Sequence, residues 1–246
     1  MIRFFNANKK INKSKILIKN VDNYIKQKIK KILNHKIKRP LKITFQKRKF
    51  FVFPRVFNPK LAISSKILAE NIKVKRNLKV LDMGCGTGVQ GIIALYKGAG
   101  NVTFVDNNPN AIKNTIENLK LHSFYKNTKN ININVVKSDL FKNVKDKFDV
   151  ILFNSPFIHS EKPIRKDWIL KSIFDYKYRI LRRFFGGAKR HLNKGGYILF
   201  VFLEQPSLYD KLINILSAYN FKKKRIFLRK INKINLSVYK LTLKKS

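Results

Sequence analysis

The sequence predicts an α/β fold in which strands alternate with helices in the doubly wound manner, preceded by a basic helical extension. Three observations carry this. Val80-Leu81-Asp82-Met83-Gly84-Cys85-Gly86-Thr87-Gly88 reads as a buried strand running into a glycine turn, and Val89 to Leu95 follows as an apolar-faced helix. Val102 to Asp106 and Ile131 to Asp139 repeat the scheme of an apolar strand that ends in an acid. With 246 residues, 44% of them hydrophobic, the chain is long enough to fill the core of one large domain with an extension.

Charge bounds the partners. Lys and Arg number 55 against 13 Asp and Glu, a formal +42, and such a field attracts polyanions, RNA or a ribosome-associated complex first among them. Lys, Ile, Asn and Phe are abundant throughout, as an AT-rich genome dictates, so the basicity has a second source in composition alone. No apolar run approaches the ~18 residues of a membrane span, and Met1-Ile2-Arg3-Phe4-Phe5 runs into Asn and Lys instead of a secretory segment. The expectation is a soluble, cytoplasmic chain with no membrane partner. The single cysteine, Cys85, excludes an internal disulfide and lacks Cys or His neighbours at ligand spacing, so no metal is expected.

Taken in order, residues 1–49 hold 17 Lys and Arg and one acid, Asp22. Ile18, Val21, Ile25, Ile29 and Ile32 fall on one face of a basic amphipathic helix, which either docks by its isoleucines and shows lysines to RNA or is an ordinary solvated face. Leu41, Ile43 and Phe45 alternate with polar residues as a half-buried strand, and Phe50 to Phe53 continues extended up to Pro54. Pro54 and Pro59 keep the next stretch from being helical throughout. Leu61, Leu68 and Ile72, with Ser64 and Ser65 on the same side, then mark a helix that ends before Asn77.

After the first glycine turn, Asp106 follows Asp82 by 24 residues, about the ~20-residue separation at which a strand-end acid reaches a ribose hydroxyl. Asn108 is a fitting N-cap with Pro109 in the first turn, and Ile112, Ile116 and Leu119 form the expected buried stripe. Phe148 to Phe153 is a fourth strand ending in Asn154-Ser155-Pro156-Phe157. Glu161 to Lys177 reads as an irregular insertion in which Trp168 is either a lid or core. Ile180 to Leu192 reads as a helix interrupted at Gly186-Gly187, Gly195-Gly196 as a turn, and Tyr197 to Phe202 as a fifth strand. A helix from Tyr209 to Tyr219 and paired strands around Arg225 to Leu228 and Leu236 to Leu243 close the chain, and residues 211–246 contain no acid.

The glycines run GxGxG behind an acid, which points away from the GxGxxG of dinucleotide-binding turns. This stretch resembles motif I of the class I S-adenosylmethionine-dependent methyltransferases. Asp106-Asn107-Asn108-Pro109 with Asn118 is similar to motif II, Ser138-Asp139-Leu140-Phe141 to motif III, and Asn154-Ser155-Pro156-Phe157 to motif IV, written Asn-Pro-Pro-Tyr or Asn-Pro-Pro-Phe in enzymes that methylate planar nitrogens. With the Pro54–Pro59 lead-in, the pattern resembles the HemK-related group, which includes the release-factor glutamine methyltransferases.

The resemblance implies a Rossmann-like seven-stranded sheet over residues 50–246, S-adenosyl-L-methionine as cofactor, and a release factor or ribosomal component as partner. It implies cofactor contacts from Asp82, Gly84, Cys85, Gly86, Gly88, Asp106, Asn107, Asp139, Leu140 and Asn154. Catalysis is assigned to Asn154, Ser155, Pro156 and Phe157. A planar nitrogen has a delocalised lone pair, so the site must hold its NH₂ by two acceptors and turn the lone pair toward the methyl group. Asn154 supplies its side-chain carbonyl, Ser155 its backbone carbonyl, and Phe157 a stacking face. Ser155 stands where the family has proline, so the φ restraint of a ring is lost there. An RNA base amine is the alternative substrate, and a catalytically inactive RNA-binding assembly factor is the third reading.

Overall fold

The computed structural model describes residues 23–35, 37–124, 131–156, 158–204, 206–231 and 234–244. The expected helix positions Ile18 and Val21 lie outside them. The chain opens with α1 (Asn23–Asn34), a hairpin of β1 (Leu41–Phe45) and β2 (Arg48–Val52), a 3₁₀ turn at Pro59–Leu61, and α2 (Ile63–Asn71). There follow β3 (Lys79–Met83), α3 (Val89–Tyr96), β4 (Asn101–Asp106), α4 (Pro109–Leu121), β5 (Asn132–Lys137) and β6 (Phe148–Phe153). The insertion carries β7 (Ile158–Ser160), α5 (Trp168–Lys171) and β8 (Phe174–Tyr176). Then come α6 (Arg179–Ala188), β9 (Leu192–Glu204), α7 (Pro206–Ala218), β10 (Phe221–Ile231) and β11 (Ile234–Leu243).

The main sheet has seven strands in the order β10-β11-β9-β6-β3-β4-β5. The pairs among β5, β4, β3, β6 and β9 are parallel, and β11 and β10 join antiparallel. This is the Rossmann-like α/β sheet the sequence predicts. Its central strands are apolar run after run because both faces are covered. Along β6, Val150 and Leu152 enter one core with α2, α3 and α4, while Ile151 and Phe153 enter the other with α6 and α7. Ile29 and Ile32 of α1, with Ile43 and Phe45 of β1, join the first core.

Four local expectations change. Leu41 is exposed at the hairpin edge, although Ile43 and Phe45 are buried as predicted. Ile112 and Ile116 are only half-buried, whereas Asn114, Thr115 and Asn118 are fully covered. The reason is that the amides of α4 replace a sheet partner for β2. Asn118 Oδ1 accepts from Phe51 N–H at 2.7 Å and Asn114 Oδ1 from Phe53 N–H at 2.8 Å, while both Nδ2 groups donate to the Phe51 carbonyl. Gly186-Gly187 does not break α6, because Gly187 lies where the Phe141 ring packs directly on the helix. Gly195-Gly196 is not a turn between elements: β9 runs through it, with Gly195 at φ +77° and the register against β6 shifted from Phe148↔Leu192 to Val150↔Tyr197.

Candidate active site

The carboxyl ends of β3, β4, β5 and β6 open on one cavity of about 630 Å³. The turn after β3 gets there by three left-handed glycines, Gly84, Gly86 and Gly88 (φ +67°, +57° and +77°), a conformation that side chains disfavour. Gly84, Cys85 and Gly86 line the cavity. Gly88 does not; it is the left-handed cap of α3, its N–H donating to the Cys85 carbonyl at 2.7 Å. Cys85 is buried, with Sγ 3.3 Å from Thr115 Oγ1, and burial holds its thiol protonated, well above the ordinary thiol range.

Asp82 is 2% exposed, and its Oδ2 accepts from Gly91 N–H at 2.9 Å. Burial pushes its carboxyl up to about 7; the Gly91 bond works against that shift, and the charge of Asp106 adds to it. Asp106 accepts from Gly86 N–H on Oδ2 at 3.0 Å and from Asn108 N–H on Oδ1 at 2.8 Å, with the Asn107 N–H also beside it, and burial raises its pKa as well. The half-buried carboxylate lines the cavity beside Asn107. Asn108 caps α4 by accepting from Asn110 N–H at 3.0 Å and donates to the Arg55 carbonyl at 2.9 Å, tying the lead-in to this corner.

Asp139 and Leu140 line the same cavity, but Asp139 is exposed and takes both guanidinium nitrogens of Arg183, at 3.2 and 2.8 Å. Leu140 is left-handed at φ +51°, and Ser138 holds that loop by donating to the Leu140 carbonyl and accepting from Asn143 N–H.

At the end of β6, Asn154, Ser155 and Pro156 line the cavity; Phe157 lies outside the described residues. Asn154 Nδ2 donates to Ser65 Oγ at 3.0 Å. The same serine's carbonyl accepts from Gln90 Nε2 at 2.9 Å, so α2 ties the β6 end to α3. Fixing the amide nitrogen fixes the amide oxygen: Asn154 Oδ1 is buried without a hydrogen-bond partner among the described residues, as is Ser155 Oγ. An unpaired buried acceptor costs about 1–3 kcal/mol, so such atoms mark where a ligand's donors belong. Trp168 lines the cavity, with Lys171 Nζ 4.4 Å from its ring centre. His159 is not part of the lining; it pairs with Glu161 and stacks on Tyr178 with ring centres 4.8 Å apart. Sequence reasoning does not find Ser65 or Arg183 as site residues, because each acts across a long separation on a residue whose own motif is local.

The topology, the glycine turn and the acids at successive strand ends define a class I S-adenosylmethionine-dependent methyltransferase. More particularly, the chain belongs to the methyltransferase small domain family, whose model matches residues 47–227. It is 37% identical over 179 residues to a candidate protein N5-glutamine methyltransferase of Methanocaldococcus jannaschii, a match covering 71% of this chain and 85% of that protein. It is 35% identical over 150 residues to the ribosomal RNA small subunit methyltransferase C of Buchnera aphidicola, covering 60% of this chain but only 38% of that relative. Among solved structures, a tRNA methyltransferase of M. jannaschii shares the fold at TM-score 0.58 and 18% identity, covering 85% of this chain and 59% of that one. Among the described residues, no helix is long and apolar enough to cross a membrane.

The residues present fit the family's cofactor. Its sulfonium and amino groups are cationic, and the cavity sets one buried and one half-buried carboxylate, Asp82 and Asp106, beside a turn whose backbone is open to close approach.

Proposed function

We propose that this chain methylates a planar nitrogen, the side-chain amide of a glutamine in a release factor or ribosomal protein. The observation that carries the reading is Asn154 Oδ1, a buried acceptor with no partner among the described residues, in a side chain that lines the cavity and whose amide is held by Ser65. When bound, the cofactor supplies an electrophilic methyl group on sulfur. The chain supplies the geometry: Asn154 Oδ1 and the Ser155 carbonyl accept the two N–H bonds of the substrate amide, which turns its lone pair out of the plane of those acceptors. Phe157 is assigned the stacking face. Transfer to nitrogen leaves a surplus proton that solvent removes during or after the step, and His159, turned toward Glu161 and Tyr178, has no part in it. Asp82 and Asp106 hold the cofactor's amino group and ribose hydroxyls, and Asp139 with Leu140 its adenine.

The coverage of the M. jannaschii relative supports the glutamine substrate. The similarity to ribosomal RNA methyltransferases supports a base amine as the second reading, since the same two acceptors serve an exocyclic NH₂. Both are tested by radiolabelled methyl transfer to total protein and total RNA from the source cell, each digested separately. Label in protein is expected; label in RNA alone establishes the second reading. Asn154→Ala is expected to abolish turnover while S-adenosylhomocysteine still binds, and unchanged turnover overturns the assignment.

A further inference from the structure

A basic strand leads up to the cavity. β10 is the free edge of the main sheet, and Lys222, Lys223, Lys224, Arg225, Arg229 and Lys230 are all exposed on it. At its far end Ile231 lines the cavity, as does Leu236 of β11, which pairs with Arg229. At ~3.4 Å per residue, the strand spreads these charges over about 30 Å, starting at the cavity.

Edge strands often carry a lysine or two to discourage pairing with another sheet. β10 carries far more than that role requires, and little answers the charge. Glu204 pairs with Arg225 at 3.2 Å, and Lys223 Nζ sits over the Tyr209 and Tyr239 rings. Lys222, Lys224, Arg229 and Lys230 have no ion-pair partner among the described residues, and the sequence from 211 to 246 contains no acid. Ile226 and Leu228 are exposed between them at 39% and 36%, apolar surface on which a base can rest. Unpaired cations at both ends of the strand, with apolar side chains between them, are complementary to a polyphosphate chain, whereas an acidic protein presents carboxylates in patches.

We propose that β10 is an RNA-docking track that leads a single-stranded RNA to the mouth of the cavity. The track goes beyond the methyl-transfer reading and is independent of which nitrogen is methylated: it holds a substrate that is RNA or one that is carried on RNA.

The test is fluorescence anisotropy of a labelled mixed-sequence RNA of about 20 nucleotides, titrated with the whole protein over a series of KCl concentrations. The triple variant Lys222→Gln, Lys224→Gln, Lys230→Gln is expected to bind roughly tenfold more weakly, with a slope of log K against log salt shallower by about 2. The control is Lys145→Gln, Lys147→Gln, Lys194→Gln. It removes the same charge beside the opposite, amino ends of β6 and β9, and it is expected to bind like the parent. Equal loss in both triples overturns the track in favour of diffuse charge. No loss in the first, or no binding by the parent, overturns it outright. Polyglutamate of matched charge binding as tightly as RNA overturns it in favour of an acidic protein surface. S-adenosylhomocysteine binding, expected unchanged in both triples, reports an intact fold and separates failure of the track from failure of the active-site reading. Should the triple lose that too, the single variants K222Q and K230Q carry the test, each expected to flatten the slope by about 0.7, and an unchanged slope in both overturns the track.

Discussion

Asp82→Asn trades stability against cofactor binding, and the size of the trade follows from burial. The Asp82 carboxyl titrates near 7 in the folded chain against 3.8 when exposed. In the unfolded chain it loses its proton near pH 4, whereas the folded chain holds on to it for about three more pH units. Stability contributed by this group is therefore undiminished below pH 4, falls by about 1.4 kcal/mol per pH unit between pH 4 and 7, and is flat above. The neutral amide introduced by Asp82→Asn escapes that penalty but leaves the two N–H donors of its NH₂ to find partners, at about 1–3 kcal/mol each if buried unpaired. The difference in unfolding free energy between variant and parent, which cancels every other titrating group, is expected to shift in the variant's favour by roughly 3 kcal/mol between pH 5 and pH 8. Urea unfolding at both pH values reads it. The same variant is expected to bind S-adenosylhomocysteine more weakly at pH 8, because a cationic amino group loses its ionised partner, while the parent binds more tightly as pH rises toward 7. A stability difference that is independent of pH refutes the buried-carboxylate reasoning.

Three further outcomes are expected. Ser65→Ala frees the Asn154 amide, so turnover falls roughly tenfold, about 1.4 kcal/mol, with S-adenosylhomocysteine affinity unchanged and Ser65→Cys intermediate; equal steady-state rates for parent and Ser65→Ala refute the positioning role. Gly91→Ala sets a Cβ 2.2 Å from Phe104 Cε1 and 2.7 Å from Cζ, so overpacking of about 1–3 kcal/mol outweighs the ~1 kcal/mol gain in helix propensity; a melting temperature above the parent's is the contrary result. Asn118→Ala strands the buried Phe51 N–H and Thr87 carbonyl, costing about 2–5 kcal/mol in urea unfolding, and a loss below ~1 kcal/mol shows that the hairpin does not depend on the clasp.

What the sequence made legible was what is local. A strand, its terminal acid and the turn after it are contiguous, so periodicity alone places Asp82, Asp106 and Asp139 at strand ends, and the structure sets all three on one cavity. Ser65 and Asn154 are 89 residues apart, and no spacing rule connects them. The apolar stripe predicted for α4 holds at Leu119 but is only half-buried at Ile112 and Ile116, for a related reason. Hydrophobic periodicity assumes that amides seek water, but Asn114 and Asn118 find the unpaired backbone of β2, a partner that exists only after the hairpin has docked. Long-range polar satisfaction outranks local pattern there.

The same principle bears on Ser155. Read as a departure from the proline of the resembled motif, it removes one restraint on the carbonyl that the proposed reaction uses. Yet Pro156 follows, and the residue before a proline is itself confined to the extended region. Ser155 is also 2% exposed, and its neighbour Asn154 is tied to Ser65. The direction of the 155 carbonyl is thus set from both sides without a ring at that position. What the substitution adds is a hydroxyl: Ser155 Oγ is a second buried polar atom without a partner among the described residues, in a residue that lines the cavity. On the proposed reading, the departure from the family pattern keeps both acceptors and adds a hydroxyl donor that proline lacks.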